Sequence, residues 1–200
     1  MVLTESDSEL ARGDAAPAFD LPGVDGRTHS LEEFSGEDAL LVVFTCNHCP
    51  YAQAKFDLLN DVAAEYDDCA VVGINPNDAE AYPEDSFEAM AEFVEDGRVA
   101  YDVYLRDETQ EVARAYGAVC TPDPFLFRRE ADGDSDGGDS AAGADGRFEL
   151  AYHGRLDDAL NPDDEPEHVY IRDAIDAVLA GEPVPHDDLP SQGCSIKWLE

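Results

Sequence analysis

The chain has 200 residues, of which 47 are Asp or Glu and only 12 are Lys or Arg, so its formal net charge is −35. A surface this acidic repels nucleic acid and anionic lipid, which argues against proteins that bind either. No apolar stretch approaches the ~20 residues that cross a bilayer, and the N-terminus has acids where a secretory signal carries bases. We therefore expect a cytoplasmic protein with one domain and a full core.

The acidic residues are spread along the chain. Residues 131–146 are the most biased segment, yet they hold only five acids, so most of the charge belongs to the folded surface. The composition is similar to that of cytosolic proteins from salt-accumulating archaea, in which high ionic strength screens such self-repulsion. An acidic protein of an ordinary cytoplasm is the alternative.

The N-terminal part predicts a hairpin preceded by a polar leader, residues 1–14. Residues 17–34 read "PAFDLPGVDGRTHSLEEF", which predicts two extended segments around a turn at Asp25–Gly26. A short helix is predicted to begin near Ser30.

The next elements form a strand–helix–strand unit. Leu40–Phe44 are five consecutive apolar residues, which predict a strand buried on both faces. After Cys49, apolar residues recur at spacings of three and four, which predicts a helix to about Tyr66. Ala70–Ile74 predict a second strand. Such a unit makes a parallel sheet whose functional groups lie at the C-terminal end of the first strand.

The second half of the chain predicts, in order, a helix capped by Ser86, a strand at Val103–Leu105, a helix from about Thr109 to Tyr116, hairpin strands Phe125–Phe127 and Phe148–Tyr152, and a helix from about His168 to Leu179. Residues 131–146 contain nothing able to anchor a core, so we expect a flexible acidic insertion between the hairpin strands. Residues 181–200 are expected to be an irregular tail.

Two cysteines mark the junction between the first strand and its helix, in the sequence Cys46-Asn47-His48-Cys49. The free amides and dipole of a helix N-terminus favour a thiolate there. In a reducing cytoplasm a C-x-x-C at such a junction is more often redox-active or metal-binding than structural. Cys69, inside an apolar strand, is expected to be a buried and inert thiol.

Three segments carry a family resemblance: "FDLPGVDGRTHSLEEF", "FTCNHCP" and "CTPDPFLF". Over residues 15–180 the chain resembles thioredoxin-like redoxin proteins, the group that includes alkyl hydroperoxide reductase, thiol-specific antioxidant and membrane-tethered thiol reductants. The resemblance implies an α/β fold of three layers, α/β/α, with a mixed central sheet and an N-terminal β-hairpin extension. It also implies a cis Thr121-Pro122 facing the dithiol, with the Thr121 backbone open to pair with a bound peptide.

The resemblance implies a thiol–disulfide oxidoreductase that needs no cofactor and acts on protein disulfides with an external thiol as electron donor. Its cytoplasmic location is the expectation drawn from composition above. Cys46, with its sulfur outward, is expected to attack, and the more shielded Cys49 to resolve the mixed disulfide. A cationic His48 would stabilise the Cys46 thiolate and make the couple more oxidising. The supporting residues are expected to be Thr45, His48, Thr121 and Pro122.

The chain also departs from its relatives. Thioredoxins carry Trp before the first cysteine and Gly-Pro between the two, whereas this chain has Thr45 and Asn47-His48. They keep a buried acid in the preceding strand, and Leu40–Phe44 has none. Peroxiredoxins place Thr three residues before the peroxide-reactive cysteine, and here Cys46 stands three residues before Cys49. A peroxiredoxin-like thiol peroxidase is the second hypothesis, and this departure counts against direct reaction with peroxide.

A soft-metal protein for copper or zinc is the third hypothesis, although no metal is expected. Cys46, His48 and Cys49 offer suitable ligands, and His153 or Cys120 could complete a set. Three other histidines lie in polar contexts and are expected to be solvated: His29, His168 and His186.

The role of Cys120 and Cys194 stays open. Cys120 precedes Thr121 and must lie near the dithiol, while Cys194 lies in the tail together with Ile196 and Trp198. In one interpretation Cys120 packs and Trp198 pins the tail. In the other, the tail brings Cys194 to the active-site face, where it forms a second redox pair with Cys120.

Overall fold

The computed structural model describes residues 3–130 and 147–199, so the insertion predicted at 131–146 lies outside the described residues. The strands are β1 (Leu3–Glu5), β2 (Asp20–Pro22), β3 (Thr28–Ser30), β4 (Ala39–Phe44), β5 (Cys69–Asn75), β6 (Val103–Arg106), β7 (Cys120–Thr121), β8 (Asp123–Arg129), β9 (Phe148–His153) and β10 (Gln192–Ser195). The α-helices are α1 (Pro50–Gln53), α2 (Phe56–Glu65), α3 (Phe87–Glu95), α4 (Glu111–Tyr116) and α5 (Tyr170–Leu179). Short 3-10 helices cover Leu31–Phe34 and Pro83–Asp85.

The central sheet has five strands in the order β6-β5-β4-β8-β9. β4 and β5 run parallel, as do β5 and β6, whereas β8 runs antiparallel to both β4 and β9. The predicted mixed sheet is therefore confirmed. Within the described ranges, no helix is long and apolar enough to cross a membrane.

Side chains of β4 point alternately to the two faces of the sheet and build two cores. Leu41 and Val43 pack with apolar residues of α2 and α5 on one face. Leu40, Val42 and Phe44 pack with residues of α4 and the N-terminal hairpin on the other. All five side chains are fully buried, which explains why β4 reads as a continuous apolar run. The three predicted layers are thus present.

The N-terminal hairpin joins β2 to β3 in antiparallel register, with Leu21 opposite His29. Gly26 has a φ of +83°, which the predicted turn requires. His29 is buried, with a relative exposure of 1%, and its ring nitrogens lie 2.9 Å from Glu33 and 3.1 Å from Asp25. The expectation of a solvated His29 is wrong, because these carboxylates satisfy its ring inside the hairpin.

The helix predicted from Cys49 to Tyr66 is divided into α1 and α2, with Lys55 between them. The Lys55 ammonium donates to both Asp157 oxygens, at 2.7 and 2.9 Å, and to the Ala159 carbonyl at 3.1 Å. This largely buried ion pair connects the start of α2 with the loop that precedes α5.

Within the described residues, the predicted polar leader contains the strand β1 and the predicted irregular tail contains the strand β10. β10 lies between β1 and β7 in a three-stranded antiparallel sheet. Ile196 is buried in the second core, and Trp198 lies under the Arg114 guanidinium, 4.8 Å from the ring centre. Strands of two to four residues leave too short a pattern to be recognised in a sequence.

Candidate active site around Cys46 and Cys49

The C-x-x-C segment begins where β4 leaves the sheet. The Thr45 amide still donates to the Ile74 carbonyl at 2.9 Å, and Thr45 itself is buried. Cys49 is the N-cap residue of α1, and Pro50 occupies the first helical position. The predicted strand-to-helix junction is therefore present, and the cysteines lie at the C-terminal end of β4.

The disulfide at this site joins Cys49 to Cys194, with a Cα–Cα separation of 6.3 Å. Cys46 is a free thiol whose sulfur lies 3.2 Å from the Thr121 hydroxyl. Cys46 is fully buried, so the expectation that its sulfur points to solvent is wrong for this oxidised form. The tail strand β10 packs on α1 and is bonded to Cys49 through Cys194, so it covers the side of the molecule on which the C-x-x-C segment lies.

The register of β10 on β7 explains why Cys194 reaches Cys49. Cys194 lies opposite Thr121, and Ser195 lies opposite Cys120. Because neighbouring residues of a strand point to opposite faces, Cys120 points away from the face that Cys194 shares with Thr121. The predicted disulfide between Cys120 and Cys194 is therefore absent, and Cys120 is a free thiol. The prediction that the tail brings Cys194 to the C-x-x-C segment is confirmed, with Cys49 as its partner.

Thr121 and Pro122 face the dithiol as the resemblance implied, and the peptide bond between them is cis. The Thr121 hydroxyl contacts Cys46, and its carbonyl oxygen lies 3.4 Å from the Cys49 sulfur. The backbone of Thr121 pairs with β10, so the position expected for a bound peptide holds the chain's own tail. A Cβ at Gly193 would lie 2.0 Å from the Thr121 carbonyl oxygen, so this approach requires glycine.

His48 forms an ion pair with a carboxylate that the sequence did not point to. Its Nδ1 lies 2.5 Å from Asp85. This hydrogen bond, followed by contact with Cys46, raises the pKa of His48 to about 10, so the ring is a cation at neutral pH. Its other nitrogen, Nε2, is buried and has no hydrogen-bond partner among the described residues.

Asp85 is fully buried and organises the C-x-x-C segment. It accepts hydrogen bonds from the Asn47 backbone amide at 2.7 Å and from the Asn77 side-chain amide at 2.8 Å, in addition to the one from the His48 ring. Burial favours a higher pKa, but the hydrogen bonds from His48 and Asn77 outweigh it, and the pKa of Asp85 is lowered. This buried acid comes from the 3-10 helix Pro83–Asp85, between β5 and α3, and not from β4.

Cys120 lies in a separate buried cluster. Its sulfur is 3.9 Å from the Ser191 hydroxyl, which donates to Asp123 at 3.3 Å. Asp123 also lies 2.8 Å from His153 Nε2. Burial, together with the nearby Asp123, raises the pKa of Cys120, which favours the packing interpretation of this thiol. Burial likewise raises the pKa of Cys69 to about 12, in keeping with an inert thiol.

The ligands proposed for a soft metal are only partly assembled. Cys46, His48 and Asp85 each offer one ligand atom, and these atoms lie within 4.8 Å of one another. Cys49 is engaged in the disulfide, and His153 is held by Asp123. The described residues therefore bring together a Cys-His-Asp set that differs from the predicted one.

Comparisons with known proteins agree with this geometry. The chain is 39% identical to an uncharacterised conserved protein from Geobacillus kaustophilus, covering 100% of this chain and 97% of that one with a TM-score of 0.84. It is 38% identical to a hypothetical protein from Sinorhizobium meliloti 1021, covering 98% of each chain with a TM-score of 0.83. A secreted Mycobacterium tuberculosis disulfide oxidoreductase homologous to E. coli DsbE shares the fold, with 18% identity over 82% of this chain and 95% of that one and a TM-score of 0.50.

No curated protein gives a significant match. The model of the AhpC/TSA family matches residues 12–132, which span β2 to β8 and include the C-x-x-C segment, Asp85 and Thr121-Pro122. This match covers more than half of the chain, which belongs to the AhpC/TSA family.

Proposed function

We propose that this chain is a thiol–disulfide oxidoreductase that works with three cysteines. The observation that carries the proposal is that a free Cys46 thiol and a Cys49 already bonded to Cys194 both contact Thr121, while a cationic His48 lies beside Cys46. A thiolate next to a disulfide exchanges with it when the sulfurs can meet. In this proposal Cys49 forms two alternative disulfides, one with Cys46 and one with Cys194.

The proposed reaction begins with all three thiols reduced. The Cys46 thiolate attacks a target disulfide, and the first target sulfur leaves as a thiolate. Cys49 then attacks Cys46 in the mixed disulfide, which releases the second target thiolate and forms Cys46–Cys49. The target has gained two electrons, and the pair has lost two.

In the last step the Cys194 thiolate attacks Cys49. The Cys46–Cys49 bond breaks, Cys46 leaves as a thiolate, and the Cys49–Cys194 bond forms without net oxidation. An external dithiol must then supply two electrons to restore the reduced protein. The same steps in reverse order oxidise a target dithiol.

His48 and Thr121 have separate roles in this proposal. The His48 cation lies beside Cys46 and stabilises its charge whenever Cys46 attacks or leaves as a thiolate. The Thr121 hydroxyl, 3.2 Å from the same sulfur, can donate to it. Asp85 is a positioning residue, since it orients the His48 ring and the Asn47 amide and does not contact Cys46 in a hydrogen bond.

Protein disulfides are the proposed substrates, and the cytoplasm is the proposed location. In the oxidised form β10 covers the Thr121 backbone, so a substrate segment can pair there only after the tail has moved. Reduction of Cys49–Cys194 removes the covalent link that holds the tail. Leu160, 38% exposed, and Pro124 lie in a small cleft beside Pro122 and offer apolar contacts for a partner.

The test uses reduction of a protein disulfide, with insulin as substrate and dithiothreitol as donor. Cys46→Ser should abolish catalysis, and Cys49→Ser should accumulate mixed disulfides through Cys46, because the resolving thiol is gone. When dithiothreitol is left out, the reduced Cys194→Ser variant should still complete one turnover and then stop with a Cys46–Cys49 disulfide.

Cys120→Ala is the matched control, since it removes a buried thiol of the same neighbourhood and should leave insulin reduction unchanged. Trapping by Cys46→Ser in place of Cys49→Ser would reverse the two roles. Activity that survives both substitutions would reject the proposal.

Thiol peroxidase activity is a second candidate because the AhpC/TSA match covers the dithiol. Peroxide consumption by the reduced chain, with Cys46→Ser as control, tests it. A rate no higher than that of the variant would exclude Cys46 as a peroxide-reactive thiol.

A further inference from the structure

A second group of metal-ligating side chains lies outside the dithiol site. His168 precedes α5, Asp173 lies in the first half of α5, and His186 follows the helix in the C-terminal segment. The two histidine Nε2 atoms are 3.5 Å apart. One oxygen of Asp173 lies 3.0 Å from the first Nε2 and 2.8 Å from the second. Three distinct parts of the chain thus bring two imidazoles to a single carboxylate oxygen.

The three atoms fit the ligand spacing of a divalent transition metal. Atoms with these separations lie about 1.8 Å from a common centre in their own plane. Zinc binds histidine nitrogen and carboxylate oxygen at ~2.0–2.2 Å, so an ion about 1 Å above that plane satisfies all three bonds. The arrangement is a tripod that leaves the remaining coordination positions open to water.

The surroundings hold the tripod in place. The Tyr170 ring packs edge-on against both imidazoles, with centroids 4.7 Å from His168 and 5.1 Å from His186. Arg12 donates to the His186 carbonyl and forms an ion pair with Asp188 at 2.8 Å. The rings and the backbone that carries them are therefore fixed by contacts that metal binding would not disturb.

We propose that His168, Asp173 and His186 bind a divalent transition metal ion of the zinc class. Two imidazole nitrogens and one carboxylate oxygen are ligands that such ions prefer over magnesium or calcium. His168 and Asp173 are 46% and 42% exposed, so an ion can enter from solvent. The bound ion would join the start of α5 to the segment that leads to β10 and Cys194.

The experiment is equilibrium dialysis of the oxidised full-length protein against zinc in molar potassium chloride, where non-specific attraction to the acidic surface is screened. We expect one zinc ion per chain at this site. His168→Ala and His186→Ala should each weaken binding at least tenfold, because even loss of a residue that only supports a ligand costs 10–100-fold. Zinc should also raise the melting temperature of the wild type more than that of either variant.

Two controls separate this site from its rivals. Asp187→Asn removes a neighbouring exposed acid that is not a ligand, and it should bind zinc like the wild type. His48→Ala removes a potential ligand beside Cys46, and it should also retain binding. Zinc affinity that is unaffected by His186→Ala, or that is lost in His48→Ala, would overturn the proposal.

Discussion

At the scale of single residues, the proposed chemistry depends on one buried ion pair next to one free thiol. The His48–Asp85 pair puts a fixed positive charge beside Cys46 without exposing a basic side chain on a very acidic surface. Asp85 is kept ionised by hydrogen bonds that also fix the Asn47 backbone. The charge at the site is therefore set by local contacts and not by the net charge of the molecule.

Removal of the His48 charge should slow the chemistry of Cys46. In a Cys49→Ser/Cys194→Ser background, His48→Ala should lower the rate of Cys46 alkylation at pH 7 by about tenfold, because the reacting sulfur loses a neighbouring positive charge. Iodoacetamide labelling followed by mass spectrometry measures this rate. His153→Gln, a change at a histidine held by Asp123, should leave it unchanged. Equal rates with and without His48 would show that the imidazolium does not act on Cys46.

The same ion pair predicts a pH dependence of stability. The pKa of His48 is raised to about 10, chiefly by its hydrogen bond to Asp85, so its contribution is complete below the ordinary pKa of ~6.5 and is lost as the pH rises towards 10. The gap in free energy of unfolding between wild type and His48→Gln should therefore shrink from pH 6 to pH 10. Urea denaturation at the two pH values gives this gap. A gap that stays constant or widens would contradict a raised pKa.

The sequence predicted part of this site. Cys46, Cys49, His48, Thr121 and Pro122 were found because the C-x-x-C and Thr-Pro motifs have fixed spacing. Asp85 was missed because it reaches His48 from a short 3-10 helix through tertiary packing, and its neighbours in the sequence carry no periodic signal. A hydrogen bond across 37 residues is a property of the fold that no local pattern encodes.

At the scale of elements, the main difference from the sequence prediction is the strand β10, which lies in a tail that was predicted to be irregular. β10 pairs with β7 through the backbone of Thr121 and places Cys194 against Cys49. Beyond the strand, the Lys197 amide donates to the Asn77 side chain at 2.8 Å, and Asn77 also donates to Asp85. The tail is thus connected by hydrogen bonds to the residue that orients His48.

Gly193→Ala should displace β10. The new Cβ would lie 2.0 Å from the Thr121 carbonyl oxygen, a backbone atom, so the strand must shift away from β7. We expect the oxidised variant to contain Cys46–Cys49 and to leave Cys194 open to alkylation. Gly36→Ala is the control, since a Cβ there meets nothing within 4 Å. Retention of the Cys49–Cys194 disulfide in Gly193→Ala would show that this close backbone approach does not govern the position of the tail.

Most strands of the central sheet and most helices followed from their hydrophobic pattern, because they bury apolar side chains over six or more residues. β4 and β5 are the clearest examples, with every residue buried. β10 could not be predicted in this way, since only Gly193 and Cys194 are buried in it. Its pairing depends on hydrogen bonds with strands from the opposite end of the chain.

At the scale of the whole molecule, the net charge of −35 is expected to oppose folding in dilute buffer. Like charges on one compact surface repel each other, and the repulsion is stronger where the screening length exceeds the spacing between them. A habitat with high internal salt remains our proposal for this composition.

The melting temperature should rise between low and molar potassium chloride, because the screening length falls to ~3 Å at 1 M. Differential scanning calorimetry over a salt series measures the change. Sucrose at matched osmolality serves as a control for effects of the solute other than screening. An unchanged or lower melting temperature in high salt would reject the proposed habitat and leave the redox chemistry untouched.

The most direct test of the three-cysteine exchange is a disulfide map of the fully oxidised wild-type protein, obtained by alkylation under denaturing conditions, proteolysis and mass spectrometry. We predict a linked peptide pair that contains Cys49 and Cys194, with Cys46, Cys69 and Cys120 recovered as alkylated thiols. A map in which Cys46 is bonded to Cys49 while Cys194 is always alkylated would contradict the exchange, because Cys194 would then take no part in it.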